Sequence, residues 1–190
     1  YYFQTYEMLA RLWAATGQAG NALDFFAALV DRMPGSSTAR HIYASLLEAK
    51  GDTAAAEAQW RAILRTVPDD EAVLAPLLQR LQQRGKPDEA LALMLAAQAY
   101  NPRNFRNNER LVAFYDARGD AANMVKYMRA LAASGPVNAQ LYLDLGGALE
   151  KLGRDDEARI AYRAAEKTAA GQHDAAAGAA AAAAWRRLTR

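Results

Sequence analysis

The side chains best able to do chemistry in this chain are few and scattered. His41 and His173 are its two histidines, and it has no cysteine. A zinc site needs three or four converging ligands, and no such set is spaced along the sequence. The acidic pairs Asp69–Asp70 and Asp155–Asp156 could serve as acid/base groups. They fall, however, at predicted helix starts, where carboxylates satisfy free N–H groups and meet the positive helix end. No nucleophile elbow, P-loop or dinucleotide-type glycine fingerprint is present. The pattern predicts no enzyme, no cofactor and no metal. The densest chemistry is the run Arg103–Arg110, RNFRNNER, with three arginines and three asparagines around Phe105. Arg106 and Arg110 stand one helical turn apart, so their guanidinium groups can converge on one carboxylate or phosphate. Glu109, beside them, can instead neutralise one.

The elements that must carry these residues are set by punctuation. Pro34, Pro68, Pro102 and Pro136 recur at an interval of about 34 residues. Gly17, Gly51, Gly85, Gly119 and Gly153 keep the same interval between them. Between the marks lie helical stripes. Tyr6, Leu9, Ala10 and Trp13 follow i, i+3, i+4, i+7. Ala22, Phe26 and Leu29 form a second stripe before Pro34. Glycine suits a helix stop, and proline cannot continue a helix. One unit is therefore helix, turn, helix, turn. It recurs with Trp60, Met94, Met128 and Tyr162 at the position of Phe26. Asp52, Asp120 and Asp155 follow or nearly follow the glycines as helix starts, and Pro87 suits a first helical turn. Ala170 replaces the fifth proline, which predicts that the regular array ends there. Pro76, inside a helical stripe, predicts a kink. The final stretch, HDAAAGAAAAAAWRRLTR, reads either as a helix covering the last apolar face or as a low-complexity linker.

Bulk composition agrees with a folded helical chain. Of 190 residues, 52% are hydrophobic, enough to bury a core. Roughly a quarter are alanine, the strongest helix former. The net charge of +2 is nearly balanced and by itself does not argue for nucleic acid. No apolar run reaches the roughly 18 residues of a membrane span. The sequence starts at Tyr1 without Met, and its alanine-rich style predicts a segment of a larger bacterial protein.

A helix pair of about 34 residues bearing W-x2-L-G-x2-Y, then A-x3-F, then P resembles the tetratricopeptide repeat. The first copy has Tyr6-x2-Leu9-Ala10-x2-Trp13, Ala22-x3-Phe26 and Pro34. The fifth has Tyr142-x2-Leu145-Gly146-x2-Leu149 and Ala158-x3-Tyr162. Arg40 and Asn108 depart from the pattern at the leading aromatic, and Met124 at the small residue. The resemblance implies an all-α, right-handed α-solenoid of five helix-turn-helix repeats. These are expected at residues 3–36, 37–70, 71–104, 105–138 and 139–172, in one array, with a capping helix at about 174–189.

The same resemblance implies that the first helix of each repeat lines a concave groove. Polar stripes on those helices supply Arg11, His41, Ser45, Gln79, Arg106, Glu109, Arg110, Gln140 and Gly147 as candidate partner contacts, although any one of them could equally be plain solvated surface. At Gly147 a ligand backbone could approach closely. Some family members clamp the C-terminal carboxylate of a chaperone peptide. Arg106 and Arg110 match its last pair, but His41, Ser45 and Pro76 stand where Lys, Asn and Asn would be, so chaperone-tail binding is not expected.

The expected function is a non-enzymatic protein–protein interaction scaffold holding a peptide or partner segment in the groove. The alternative is an accessory module of a larger bacterial enzyme or envelope assembly, for polysaccharide or secretion, whose catalytic part lies elsewhere. The expected partner is a protein or peptide rather than nucleic acid, with no membrane contact from this segment. The aromatic end Tyr1, Tyr2, Phe3 suggests self-association. The compartment is expected to be bacterial cytoplasm or periplasm.

Overall fold

The computed structural model describes residues 2–189, except for the side chains of Tyr2, Phe3 and Ala14. The aromatic end Tyr1–Phe3 thus lies outside the described side chains. Eleven helices follow one another among the described residues: α1 (Tyr2–Ala15), α2 (Ala19–Arg32), α3 (Ser37–Lys50), α4 (Thr53–Thr66), α5 (Glu71–Gln83), α6 (Pro87–Tyr100), α7 (Phe105–Asp116), α8 (Ala121–Ser134), α9 (Ala139–Lys151), α10 (Asp155–Gln172) and α11 (Ala175–Arg187). The chain divides into two compact units, Tyr1–Ala96 and Ala97–Arg190, with the boundary inside α6.

Local chemistry starts and stops the helices. Ser36, Asp52, Asp70, Asn104, Asp120, Asn138 and Asp174 each accept a backbone N–H within the first helical turn, at 2.9–3.2 Å. Such caps satisfy donors that have no partner in the helix itself. Gly51 ends α3 at φ +87°, where a side chain would be strained, and the other four phased glycines share a positive φ. Asp155 and Asp156 act differently from the caps. Arg154 is the N-cap residue of α10 and makes no side-chain capping hydrogen bond, and both carboxylates sit in the first turn of the helix. They oppose the positive helix end by charge. With Ala170 in place of proline, α10 continues to Gln172 and ends at His173, φ +56°. Pro76 lies within α5 without ending it.

In the first unit, α1, α2 and α3 close on a cluster of buried Ala10, Phe26 and Ile42, packed by Tyr6, Trp13 and Leu29. Tyr6 meets Phe26 edge-on with ring centres 6.0 Å apart. Arg80 stacks on Trp60 at 4.4 Å and pairs with Glu48, tying α3, α4 and α5 together. In the second unit, Tyr115 stacks on Tyr127 at 5.6 Å across α7 and α8. The C-terminal stretch is a helix, not a linker. Its buried Ala177 and Ala181 seat α11, and Gly178 brings it close to Ala169 of α10. Arg187 places one guanidinium nitrogen 2.7 Å from each carboxylate oxygen of Glu150 on α9, and Arg159 donates to the Leu188 carbonyl at 3.1 Å.

Two polar devices recur two copies apart. Arg40 donates to the Pro34 carbonyl at 3.0 Å, and Asn108, two copies later, donates to that of Pro102 at 2.9 Å. These polar replacements for the leading aromatic tie each helix to the proline that ends the copy before it. Likewise Arg61 pairs with Glu89, which also takes Lys86, while Arg129 pairs with Glu157, which also takes Arg154.

Glu57 is the buried centre of the first of these networks. It accepts from Arg61 at 2.9 Å and from Arg84 at 2.6 Å. Burial opposes its ionisation, but the hydrogen bonds and charges of Arg61 and Arg84 outweigh that and hold its carboxyl below the ordinary 4.5. A depressed carboxyl stabilises the fold above its unfolded pKa and loses that contribution as pH falls through the folded one. Glu57→Gln is therefore expected to cost about 1–2 kcal/mol at pH 7. Urea midpoints of the two proteins should converge as pH drops below 4.5. An unchanged gap at pH 3 would contradict this.

Candidate functional site

The polar stripes of the first helices end up beside cavities in both units. In the second unit, Glu109, Val112, Ala113 and Asp116 share one face of α7, spaced by three, four and seven residues. Leu143, Asp144, Gly147 and Lys151 do the same on α9. Together they border a cavity of about 570 Å³. Its apolar floor is Met124, Met128 and Leu131 from α8 with Ala148 from α9. The floor residues are buried at the helix-pair interface. Glu109, Asp116 and Asp144 at the rim are exposed. Asp144 accepts from Gln140 one turn earlier, at 2.7 Å.

Gly146 and Gly147 have different roles on α9. A Cβ on Gly146 would lie 2.4 Å from the Tyr162 ring, whereas one on Gly147 would meet only the Tyr162 hydroxyl, at 3.9 Å. Gly146 therefore serves packing, and Gly147 leaves the cavity open. Tyr162 donates from its hydroxyl to Glu150. Burial, then that hydrogen bond and the negative charge of Glu150, push the phenol well above its ordinary range.

In the first unit, Glu7, Ala10 and Arg11 of α1, Ile42, Ser45 and Leu46 of α3 and Ala72 of α5 border a cavity of about 420 Å³. His41 lines it too, with Nε2 3.3 Å from Asp70, the N-cap of α5. Arg11 pairs with Glu7 at 2.7 Å, and Ser45 donates to the His41 carbonyl at 3.0 Å. These polar groups are engaged locally, each with a partner on its own helix or at the start of α5.

Of the nine residues chosen from sequence, Arg11, His41 and Ser45 border the first cavity, and Glu109 and Gly147 the second. Gln140 touches the second through Asp144. Arg106 and Arg110 lie on α7 but are not among its lining residues, and Gln79 is exposed on α5 and borders neither. Sequence reasoning passed over Asp144 and Lys151. Their phase was legible: Asp144 is one turn after Gln140, and Lys151 two turns after Asp144. Among the described residues, no group of three or more His, Asp or Glu could hold a metal, and no helix is long and apolar enough to cross a membrane.

No protein-family model matches the chain, and no curated protein matches it in sequence. Solved structures do match in fold. A crystal structure of MamA is 14% identical and aligns over 92% of this chain and 95% of that one, with a TM-score of 0.54. MamA from AMB-1 is 19% identical over 89% of this chain and 92% of that one, with a TM-score of 0.52. A double mutant of MamA from RS-1 is 15% identical over 90% and 96%, with a TM-score of 0.50. These are helical-repeat proteins of the tetratricopeptide kind. In fold, this chain is likewise an all-α solenoid of successively packed helices.

Proposed function

We propose that this chain is a non-enzymatic scaffold that holds partner protein segments against the first helices of its repeats. One observation carries the reading. Stripes that the resemblance assigns to a groove border a cavity in each unit, through Arg11, His41 and Ser45 in one and Glu109, Ala113 and Gly147 in the other. Both cavities fall within the roughly 300–1,000 Å³ typical of recognition sites. Their walls combine apolar anchors with a few polar groups, which is how a bound segment gains affinity and orientation.

Photo-crosslinking in source cells tests this. A benzophenone amino acid placed at the exposed positions Ser45 and Ala113 should capture the same protein partner. The same probe at Asp24 on α2 and Lys126 on α8, also exposed, should not. Capture from the α2 and α8 positions alone would overturn the proposal.

A further inference from the structure

We infer that the cavity of the second unit selects a basic amphipathic segment, one that sets apolar side chains on the floor and Lys or Arg at the rim. The inference rests on the scaffold reading and specifies the chemistry of the occupant. The lining holds three carboxylates, Glu109, Asp116 and Asp144, against one ammonium, Lys151. The chain as a whole carries +2, so the cavity reverses the sign of the molecule around it. Arg106 and Arg110, on the same helix α7, are outside the lining, so the excess of carboxylates belongs to the cavity itself.

The floor and the rim make separate demands. The exposed edges of Met124, Met128 and Leu131, with half-buried Val112 and Leu143 beside them, make an apolar floor, and the two methionines, flexible and polarisable, can adapt to an inserted side chain. That surface gives a purely polar ligand nothing to bury against. The exposed carboxylates favour a cation by Coulomb attraction and disfavour phosphate or an acidic peptide by the same term. Gly147 withholds a side chain from the cavity wall, and an added Cβ there would meet only the Tyr162 hydroxyl, at 3.9 Å, so an incoming backbone can approach α9 closely. Only a segment bearing both apolar and cationic groups satisfies floor and rim together.

Three fluorescein-labelled 14-residue peptides with one leucine pattern and Lys, Gln or Glu at the polar positions test this against the full chain by anisotropy. The Lys peptide should bind tightest, the Gln peptide more weakly and the Glu peptide least. Raising the salt should narrow the differences. Asp116→Asn with Asp144→Asn should weaken the Lys peptide roughly tenfold, while Arg106→Glu with Arg110→Glu should not weaken it. Gly147→Leu, which adds helix propensity and fills the cavity, should weaken all three peptides while circular dichroism stays unchanged. Equal binding of the three peptides, each blocked by Gly147→Leu, would overturn the charge selection and leave groove binding standing. Binding indifferent to Gly147→Leu, or no binding of the Lys peptide, would overturn the inference for this cavity. The crosslinks at Ser45 and Ala113 judge the broader scaffold reading separately.

Discussion

Gly146→Ala is expected to destabilise the fold by about 2–3 kcal/mol, while Gly147→Ala beside it is expected to be neutral or stabilising by up to about 1 kcal/mol. Both positions lie in the interior of α9, where alanine is intrinsically the better helix former. At Gly146 that gain is overwhelmed. Its new Cβ would stand 2.4 Å from one carbon of the Tyr162 ring and 2.7 Å from two others. Tyr162 is 4% exposed, and its hydroxyl is fixed on Glu150. The ring therefore cannot swing aside without breaking a half-buried hydrogen bond, and α9 must separate from α10. At Gly147 the nearest atom is 3.9 Å away, an ordinary contact. Urea denaturation of the two single variants decides the matter. Equal stabilities would mean that α9 and α10 yield easily and that the close approach is not what demands glycine.

The same contact shows how much of the fold was legible in the sequence. Repeat phase pairs Ala10 with Phe26, Ala44 with Trp60, Leu78 with Met94, Val112 with Met128 and Gly146 with Tyr162. In the sequence, a small residue stands at the position paired with each aromatic, and a larger aliphatic at the position paired with each methionine. Interiors are close-packed, so the two helices of a pair share one volume and divide it differently in each copy. A single copy read against a motif shows only a departure; five copies in phase show compensation. Helix order and ends were likewise readable from proline, glycine and Asp caps, because those residues act through the local backbone.

What escaped the sequence depends on where a side chain turns and on which helices meet. Arg40 and Asn108 looked like losses of an aromatic, yet each ties its helix to a proline carbonyl six residues earlier. The excess of carboxylates around the second cavity also escaped, because Asp144 comes from a different helix than Glu109 and Asp116. The arginine patch drew attention by its density along the chain, but density in sequence does not report which way a helix faces. Arg106 and Arg110 border neither the 570 Å³ nor the 420 Å³ cavity, while the acidic residues among and beyond them do.

Phe26→Ala is expected to cost about 3–5 kcal/mol, the usual range for deleting a buried aromatic ring. The side chain is 0% exposed and lies at the centre of the cluster joining α1, α2 and α3. Its ring meets Tyr6 at 6.0 Å and Phe25 at 5.2 Å, both edge-on, so the loss includes two aromatic contacts besides buried area. Phe25→Ala makes the control. Phe25 touches Tyr6 and Trp13 but is 38% exposed, and water fills the space it leaves, so about 1 kcal/mol is expected. Because stacked repeats are held by their nearest neighbours, hydrogen exchange should show the Phe26→Ala loss first in α1, α2 and α3. A stronger test uses the volume exchange between copies. Phe26→Met alone removes ring volume, and Ala10→Leu alone overfills the site. Together they install the Leu78/Met94 pairing of the third copy. The double variant should recover at least about 1 kcal/mol relative to the sum of the single losses, as expected of two residues sharing one cavity. Strict additivity in denaturant titrations would show that positions 10 and 26 do not share a volume, and the packing rule drawn from the five copies would fail with them.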